Sequence, residues 1–511
     1  MNITLKSATA ANLPELLELA HQAAKAPNSR WSEDYPDLEI LKWDLAQNGL
    51  YRAELPDGTL GGMIAIDREG ELNDLDWQDG LTTAWELSRL AVFPKYQGTG
   101  LGQAIFGAAL ALCREQFARL EEIKEYNQLK MLKAFTDCRV GGSHLVGTTG
   151  YGMDDAGRGK LEEVFAVLTG SEAALFRHNF MSGTHTLSVA LFGVLRPGDR
   201  MVAVTGRPYD TLAGVIGIDG THYGNLMEFG VQYDEVDLLA DGTPDLAGIA
   251  RKCRGAKMCY IQRSRGYAAR PALSLEQIEA VSRAAKAVQP DIIVMVDNCY
   301  GEFTQKQEPT QRGADLMAGS LIKNPGGGIA PTGGYIAGRA DLVELCAHRL
   351  SAPGVGGEIG CTLDMLRGMY LGLYYAPGVV CEALKTSVYA ACLFELLGYA
   401  ATPAYGAQRN DIITSVETGS PEGMVALCGG VQAGSPVDSF AAPEPGDMPG
   451  YEDPVIMAAG AFTMGSSIEL SADGPLRAPY TVYMQGGLNF AAARAGVLLG
   501  ADRMLRLRRS E

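Results

Sequence analysis

The sequence predicts an α/β protein: a mostly parallel sheet flanked by helices, a smaller C-terminal α+β unit, and a separate N-terminal α/β region. Three observations carry this. Short apolar runs without alternation, 201–204 (MVAV), 258–261 (MCYI) and 292–296 (IIVMV), alternate with helical patterns, as strands covered on both faces require. All four tryptophans (Trp31, Trp43, Trp77, Trp85) lie in the first 85 residues, which marks that stretch as a different unit. Beyond Leu371 a long helix is followed by strands and helices in α+β order.

Taken in order, a helix is expected near Leu13–Ala23 and a hairpin around Pro56-Asp57-Gly58. A strand from Trp85 to Val92 then meets a glycine-rich turn, Gln97-Gly98-Thr99-Gly100-Leu101-Gly102, which opens an apolar helix (Ala104–Cys113). Glycines there bare backbone N–H groups at a helix start, a site suited to pyrophosphate. Leu120, Ile123, Tyr126, Leu129 and Leu132 recur at i, i+3 and predict one apolar face of a helix. A domain boundary near residue 117 gives three units: 1–117, 118–370 and 371–511. Helices are expected over Leu275–Val288 and Gly378–Leu397.

Composition excludes several classes. The chain has 511 residues, 47% of them hydrophobic, enough to bury a large core. Its 43 Lys+Arg against 60 Asp+Glu leave a net charge of −17, which argues against nucleic acid or an anionic membrane as partner. No apolar run approaches the ~20 residues of a membrane span, and no signal peptide is visible. Ten scattered cysteines without a CxxC pair fit a reducing, cytoplasmic setting. The six histidines form no HxxxH or HExxH cluster, so no metal is expected.

Three features carry chemistry. Asp297 ends the apolar strand of DIIVMVDNCYGEF; alone it reads equally as an acid opening a loop. Lys323 follows 26 residues later in AGSLIKNPGGG, an otherwise uncharged segment, with Ser320 three residues before it. Ser182-Gly183-Thr184 stands at the start of a helix, where an anion is favoured. A pyridoxal phosphate site needs these parts. A carboxylate keeps the pyridine nitrogen protonated, a lysine forms the Schiff base and moves protons, and a helix start with a hydroxyl holds the phosphate. Tyr209, in GRPYDTL, is placed to stack on the ring.

Residues from about 118 to 506 resemble fold-type I pyridoxal phosphate enzymes of the cystathionine β-lyase and methionine γ-lyase class, in particular the aluminium resistance subgroup. The resemblance rests on TTGYGMDDAGRGKLE, SGTHTLSVALFGVLRPGD, IQRSRGYAARP, VDNCYGEF, DLMAGSLIKNPGGG and MPGYEDPVIMAAGAF with SIELSADGPLR. It implies Lys323 as cofactor-bearing lysine, Asp297 as pyridinium partner and Tyr209 as stacking aromatic. It implies phosphate contacts from the Ser182–Thr184 segment and Ser320, and Arg477 as holder of the substrate carboxylate. Tyr151 and Arg158 fall in the segment that relatives send into a neighbour's phosphate site, which implies a homodimer or homotetramer. The subgroup has its own glycine triplet after the lysine and its own arginine run, Arg263 to Arg270.

The first region is similar to GNAT acetyltransferases through its L-x-V-x-P strand and Q-x-x-G-x-G turn, where Gln97, Gly98, Gly100 and Gly102 would meet acetyl-CoA. That family continues with a strand, a helix and a strand pair bearing a tyrosine; here the helix runs straight into the second region. The expected function is elimination of a thiol from a small sulfur-containing L-amino acid by a pyridoxal phosphate lyase. Alternatives are transamination by the same cofactor and an added acetyltransferase activity.

Overall fold

The computed structural model describes the chain apart from residues 1–2, 26–30, 32–34, 47–48, 68–85, 93–113, 219, 221–222, 449–450 and 511. The glycine turn holding Gln97, Gly98, Gly100 and Gly102, and the apolar helix expected after it, lie outside the described residues. Three sheets organise the rest.

The first is antiparallel, with β1 (Thr4–Ser7), β2 (Leu50–Glu54), β3 (Leu60–Asp67) and β4 (Glu86–Val92) in that order. β2 and β3 form the hairpin expected around Pro56-Asp57-Gly58. The helix Leu13–Ala24 seals one side, its Leu16 and Leu19 fully buried with Leu41, Leu50 and Met63.

The second sheet has seven strands: β5 (Ala173–Arg177), β6 (Arg200–Ala203), β7 (Gln232–Glu235), β8 (Met258–Gln262), β9 (Ile293–Asp297), β10 (Leu316–Ser320) and β11 (Gly334–Gly338). Their spatial order is β5-β11-β10-β9-β8-β6-β7, and only β11 runs against the rest. Every residue of β8, β9 and β10 is buried, so these strands lack alternation in the sequence. The crossover helix Leu275–Val288 starts at Ser274, whose Oγ accepts the N–H of Gln277 at 3.2 Å while Gln277 Oε1 accepts that of Ser274 at 2.9 Å.

The third sheet is antiparallel, with β12 (Ala401–Thr402), β13 (Thr414–Glu417), β14 (Val455–Ala458), β15 (Ser471–Pro475) and β16 (Thr481–Gln485) ordered β12-β13-β16-β15-β14. Helices Pro421–Ala433 and Phe490–Ser510 pack against each other. Gly430 of the first and Gly434 just past its end meet the backbone of Gly500 and Gly496 of the second. Among the described residues no helix is long and apolar enough to cross a membrane.

Two helices differ from expectation. The long one spans Leu366–Leu396 and passes through Pro377, so it begins a dozen residues before Gly378. The other spans Arg114–Asp137, but it buries Leu120, Asn127, Met131 and Ala134 and leaves Tyr126, Leu129 and Leu132 exposed. Each i+3 step falls about 60° short of a full turn, so a strict i+3 series winds around the helix rather than along one face. The buried set follows spacings of seven, four and three.

Candidate active site

In α/β sheets, ligands bind beyond the carboxyl ends of the strands, and the candidate groups gather there. β9 and β10 are parallel with Asp297 opposite Ala318, which brings Asp297, Ser320 and the residues following Ser320 to one edge. Asp297 is 4% exposed, and its Oδ1 accepts the N–H of Cys299 at 3.1 Å. Burial raises its pKa, while the charge of Lys323 and the Cys299 hydrogen bonds oppose the rise. Burial also works against the Lys323 ammonium, yet Cys299, Tyr300, Asp297 and Tyr209 around it raise its pKa well above the ordinary lysine value.

The helix Gly183–Val194 points its start at the same edge. Ser182 caps it, its Oγ accepting the N–H of His185 at 3.1 Å. Gly183 backs onto β10: a Cβ there would lie 3.4 Å from Ser320 Cβ and 3.6 Å from Cys299 Sγ. The Ser320 hydroxyl is buried and has no hydrogen-bond partner. An orphaned hydroxyl beside a helix start is a donor set that suits a phosphate. Tyr209 completes the group. Its N–H donates to Gln262 Oε1 at 3.0 Å, and its phenol lies 3.1 Å from Thr184 Oγ1. Burial, with Asp297 second, raises that phenol's pKa far above its usual value. The structure therefore brings Ser182, Gly183, Thr184, Tyr209, Asp297, Ser320 and Lys323 together.

Three further expected residues make other contacts within the chain. Arg158 is buried within its own chain, donating to Gly152 O (2.7 Å), Gly360 O (2.6 Å) and Glu358 O (2.9 Å). It ties the loop at Gly152 to the loop at residues 358–360. Tyr151, on one of those loops, is 75% exposed. Arg477 is half-exposed and paired with Asp453 at 3.3 Å. The arginine run is also structural. Arg265 donates to Thr402 O (3.0 Å) and Arg270 to Gln262 O and Ser264 O (2.9 and 2.6 Å). Arg263 holds the loop after Asp297 through Asn298 and Gly301.

Sequence reasoning missed four residues near Lys323. The Tyr300 ring centre is 3.8 Å from Lys323 Nζ. Cys299 and Glu302 are buried neighbours in the same loop. Asp473, 2% exposed, accepts the Ser466 hydroxyl at 2.7 Å and feels the charge of Lys323. All four lie in VDNCYGEF and ELSADGPLR, where an acid in a largely apolar segment was the available signal for Glu302 and Asp473. The glycine triplet has a packing role. Gly327 has φ +56°, and a Cβ there would come within 2.2 Å of Gly372 O in the helix Leu366–Leu396. The turn carrying Lys323 thus lies directly on that helix backbone. A cavity of about 600 Å³ between the helix Arg114–Asp137 and residues 304–307 and 406–409 includes none of these groups.

Comparison with known proteins places the chain among relatives of the same fold. The methionine gamma-lyase family model matches residues 103–505, and the acetyltransferase (GNAT) family model matches residues 14–135. A Listeria monocytogenes structure, provisionally described as a cystathionine beta-lyase involved in aluminum resistance, is 46% identical with a TM-score of 0.77. It covers 79% of this chain and 100% of its own. A carbon-sulfur lyase involved in aluminum resistance from Clostridium novyi is 47% identical, with a TM-score of 0.75 over 78% of this chain and 94% of its own. The pyridoxal-5'-phosphate dependent protein YhfS of Escherichia coli, 16% identical, shares the fold at a TM-score of 0.51, covering 76% and 97%. With a GNAT region at its N-terminus, and with four fifths of its length matched by one family of fold-type I proteins, the chain belongs to the methionine gamma-lyase family.

Proposed function

We propose that the protein is a pyridoxal phosphate-dependent carbon-sulfur lyase that releases a thiol from a sulfur-containing L-amino acid. The observation that carries this reading is the placement of Asp297 and Lys323 at the ends of adjacent parallel strands, beside the partnerless Ser320 hydroxyl. When bound, pyridoxal phosphate supplies an electron sink that makes the substrate Cα–H acidic.

The chain's own residues do the rest. Gly183 and Thr184 N–H groups and Ser320 Oγ would hold the phosphate, Tyr209 would cover the ring, and Asp297 would pair with a protonated ring nitrogen. Lys323 would carry the cofactor, then take the Cα proton on Nζ and give a proton to the departing sulfur. Arg477 is the proposed carboxylate holder. It already holds one carboxylate, Asp453, at a half-exposed position where a substrate carboxylate could replace it.

We also propose a homodimer or homotetramer. Val146, Tyr151, Met153 and Met181 are 63–77% exposed, large apolar side chains that a second subunit would cover, and Met181 directly precedes Ser182. We propose domain divisions near residues 117 and 370.

The test is incubation of the pyridoxal phosphate-loaded protein with methionine, cystathionine and cysteine, assaying thiol and 2-oxo acid. Stoichiometric amino transfer to an added keto acid, with no thiol from any of the three, would overturn the proposal in favour of transamination.

A further inference from the structure

We propose that Tyr300 is a positioning residue for Lys323, its ring a fixed shelf that keeps the ε-ammonium at the reacting centre whenever the amine is not bonded to cofactor. This rests on the role given to Lys323 under Proposed function.

Three observations support it. The ammonium nitrogen lies 3.8 Å from the ring centre, well within the ~6 Å over which a π face attracts a cation. Tyr300 holds φ +71°, a conformation that bulky L residues rarely adopt and that persists only where the surroundings impose it. The surroundings here do impose it. Arg263, fully buried, donates to Asn298 Oδ1 at 2.8 Å and Gly301 O at 2.9 Å, on either side of Tyr300. Asn324, next to Lys323, donates from Nδ2 to Glu302 O at 2.9 Å, tying the shelf to the lysine's own turn. Glu308 accepts the N–H of Phe303 at 2.9 Å and Nδ2 of Asn298 at 3.0 Å. A loop bound at Asn298, Gly301, Glu302 and Phe303 cannot withdraw the ring.

The chemistry gives the shelf a task. The neutral amine takes the Cα proton: the C–H bond breaks with its electron pair left on carbon, an N–H bond forms, and the amine becomes an ammonium. As the C–S bond breaks with its pair on sulfur, the ammonium returns a proton, S–H forms and the amine is neutral again. A ring face stabilises the ammonium over the amine, so it favours the form that carries the proton from carbon to sulfur. The other titratable groups reaching Lys323 are Asp297, Cys299 and Tyr209; its charge is also felt by Glu302, Tyr451 and Asp473.

Tyr300→Phe keeps the ring, and Tyr300→Leu removes it. In the cofactor-free protein, acetic anhydride labelling of Lys323 against pH, read by mass spectrometry, gives the amine's pKa. It should fall by about one unit in the Leu variant and by less in the Phe variant, which keeps the ring but loses the phenol that also raises the amine. In the loaded protein, exchange of the substrate Cα proton for solvent deuterium is compared with thiol release. Thiol released per exchange should fall about tenfold in the Leu variant and stay within about twofold in the Phe variant. Should the Leu variant fail to fold, pentafluorophenylalanine at position 300 keeps the shape and reverses the ring field; the amine pKa should fall there too. An unchanged amine pKa in the Leu and pentafluorophenylalanine forms, or a Phe variant impaired as far as the Leu one, would overturn the proposal. A wild-type protein that neither binds pyridoxal phosphate at Lys323 nor releases thiol would instead remove the lyase reading, and the labelling result would still judge the shelf.

Discussion

Tyr335 donates its phenol hydrogen to Oε1 of Glu302 at 2.7 Å, while Oε2 of the same carboxyl is buried without a partner. A carboxylate with one bare, buried oxygen is costly; a neutral carboxyl is much less so. Burial pushes the Glu302 pKa up to about 8 against the opposing Tyr335 hydrogen bond.

The sign of the pH effect follows. Between about pH 4.5 and 8 the unfolded chain gives up this proton and the folded protein keeps it, so stability falls as pH rises. Glu302 should contribute a loss of roughly 1 kcal/mol per pH unit across that window. Glu302→Gln should flatten this part of the profile, measured as denaturant midpoints at pH 5, 6.5 and 8. Parallel profiles for the two proteins would refute it.

Lys323→Ala should stay folded and lose both the visible absorbance of the lysine-bound cofactor and all thiol release. Asp297→Asn should still bind cofactor, with thiol release down by about a hundredfold or more because the ring nitrogen would no longer be held protonated. Absorbance spectra and a thiol assay on the two variants check both; a yellow, active Lys323→Ala protein would be fatal to the assignment.

Gly327→Ala joins a strained φ to a clash with Gly372 O, and neither backbone can yield without moving the lysine turn off its helix. The variant should lose at least about 2 kcal/mol of stability and bind pyridoxal phosphate poorly. Thermal melts and cofactor titration measure this, with Gly378→Ala, which meets nothing within 4 Å in the same helix, as a near-neutral control.

The N-terminal region should not transfer acetyl groups. Among the described residues the sheet has four strands, β1 to β4, and the helix Arg114–Asp137 leads into the second unit rather than into a further strand pair that would carry a tyrosine. Acetyl-CoA turnover by the full chain, abolished by Gly100→Glu, is the outcome that contradicts this.

Much of the site was legible because it follows strand ends. Asp297 closes β9, Ser320 closes β10 and Lys323 comes three residues on, so reading apolar runs also located the chemistry. Ser182 was legible as a cap, since Ser before an apolar helix has a local physical cause. Tyr300 was not, because its conformation is imposed by Arg263, 37 residues earlier, through bonds that leave no periodic trace. Arg158's partners within the chain were equally illegible, because the carbonyls it meets lie 200 and 202 residues away in sequence. The helix Arg114–Asp137 was found, but its buried face depends on a polar residue, Asn127, that hydrophobic spacing cannot register.

That Asn127 turns the helix into a transmission. Its side chain donates to Phe303 O at 3.1 Å and Gln305 O at 2.9 Å, gripping the far end of the loop that aims Tyr300 at Lys323. The same helix shares a hydrophobic core with Ala53 and Ile64 of the first sheet, and both family matches run into it. The two units therefore meet in one hydrophobic core that this helix also lines, so a substitution that repacks Ala53 or Ile64 disturbs the packing of the helix whose Asn127 holds the Phe303–Gln305 backbone.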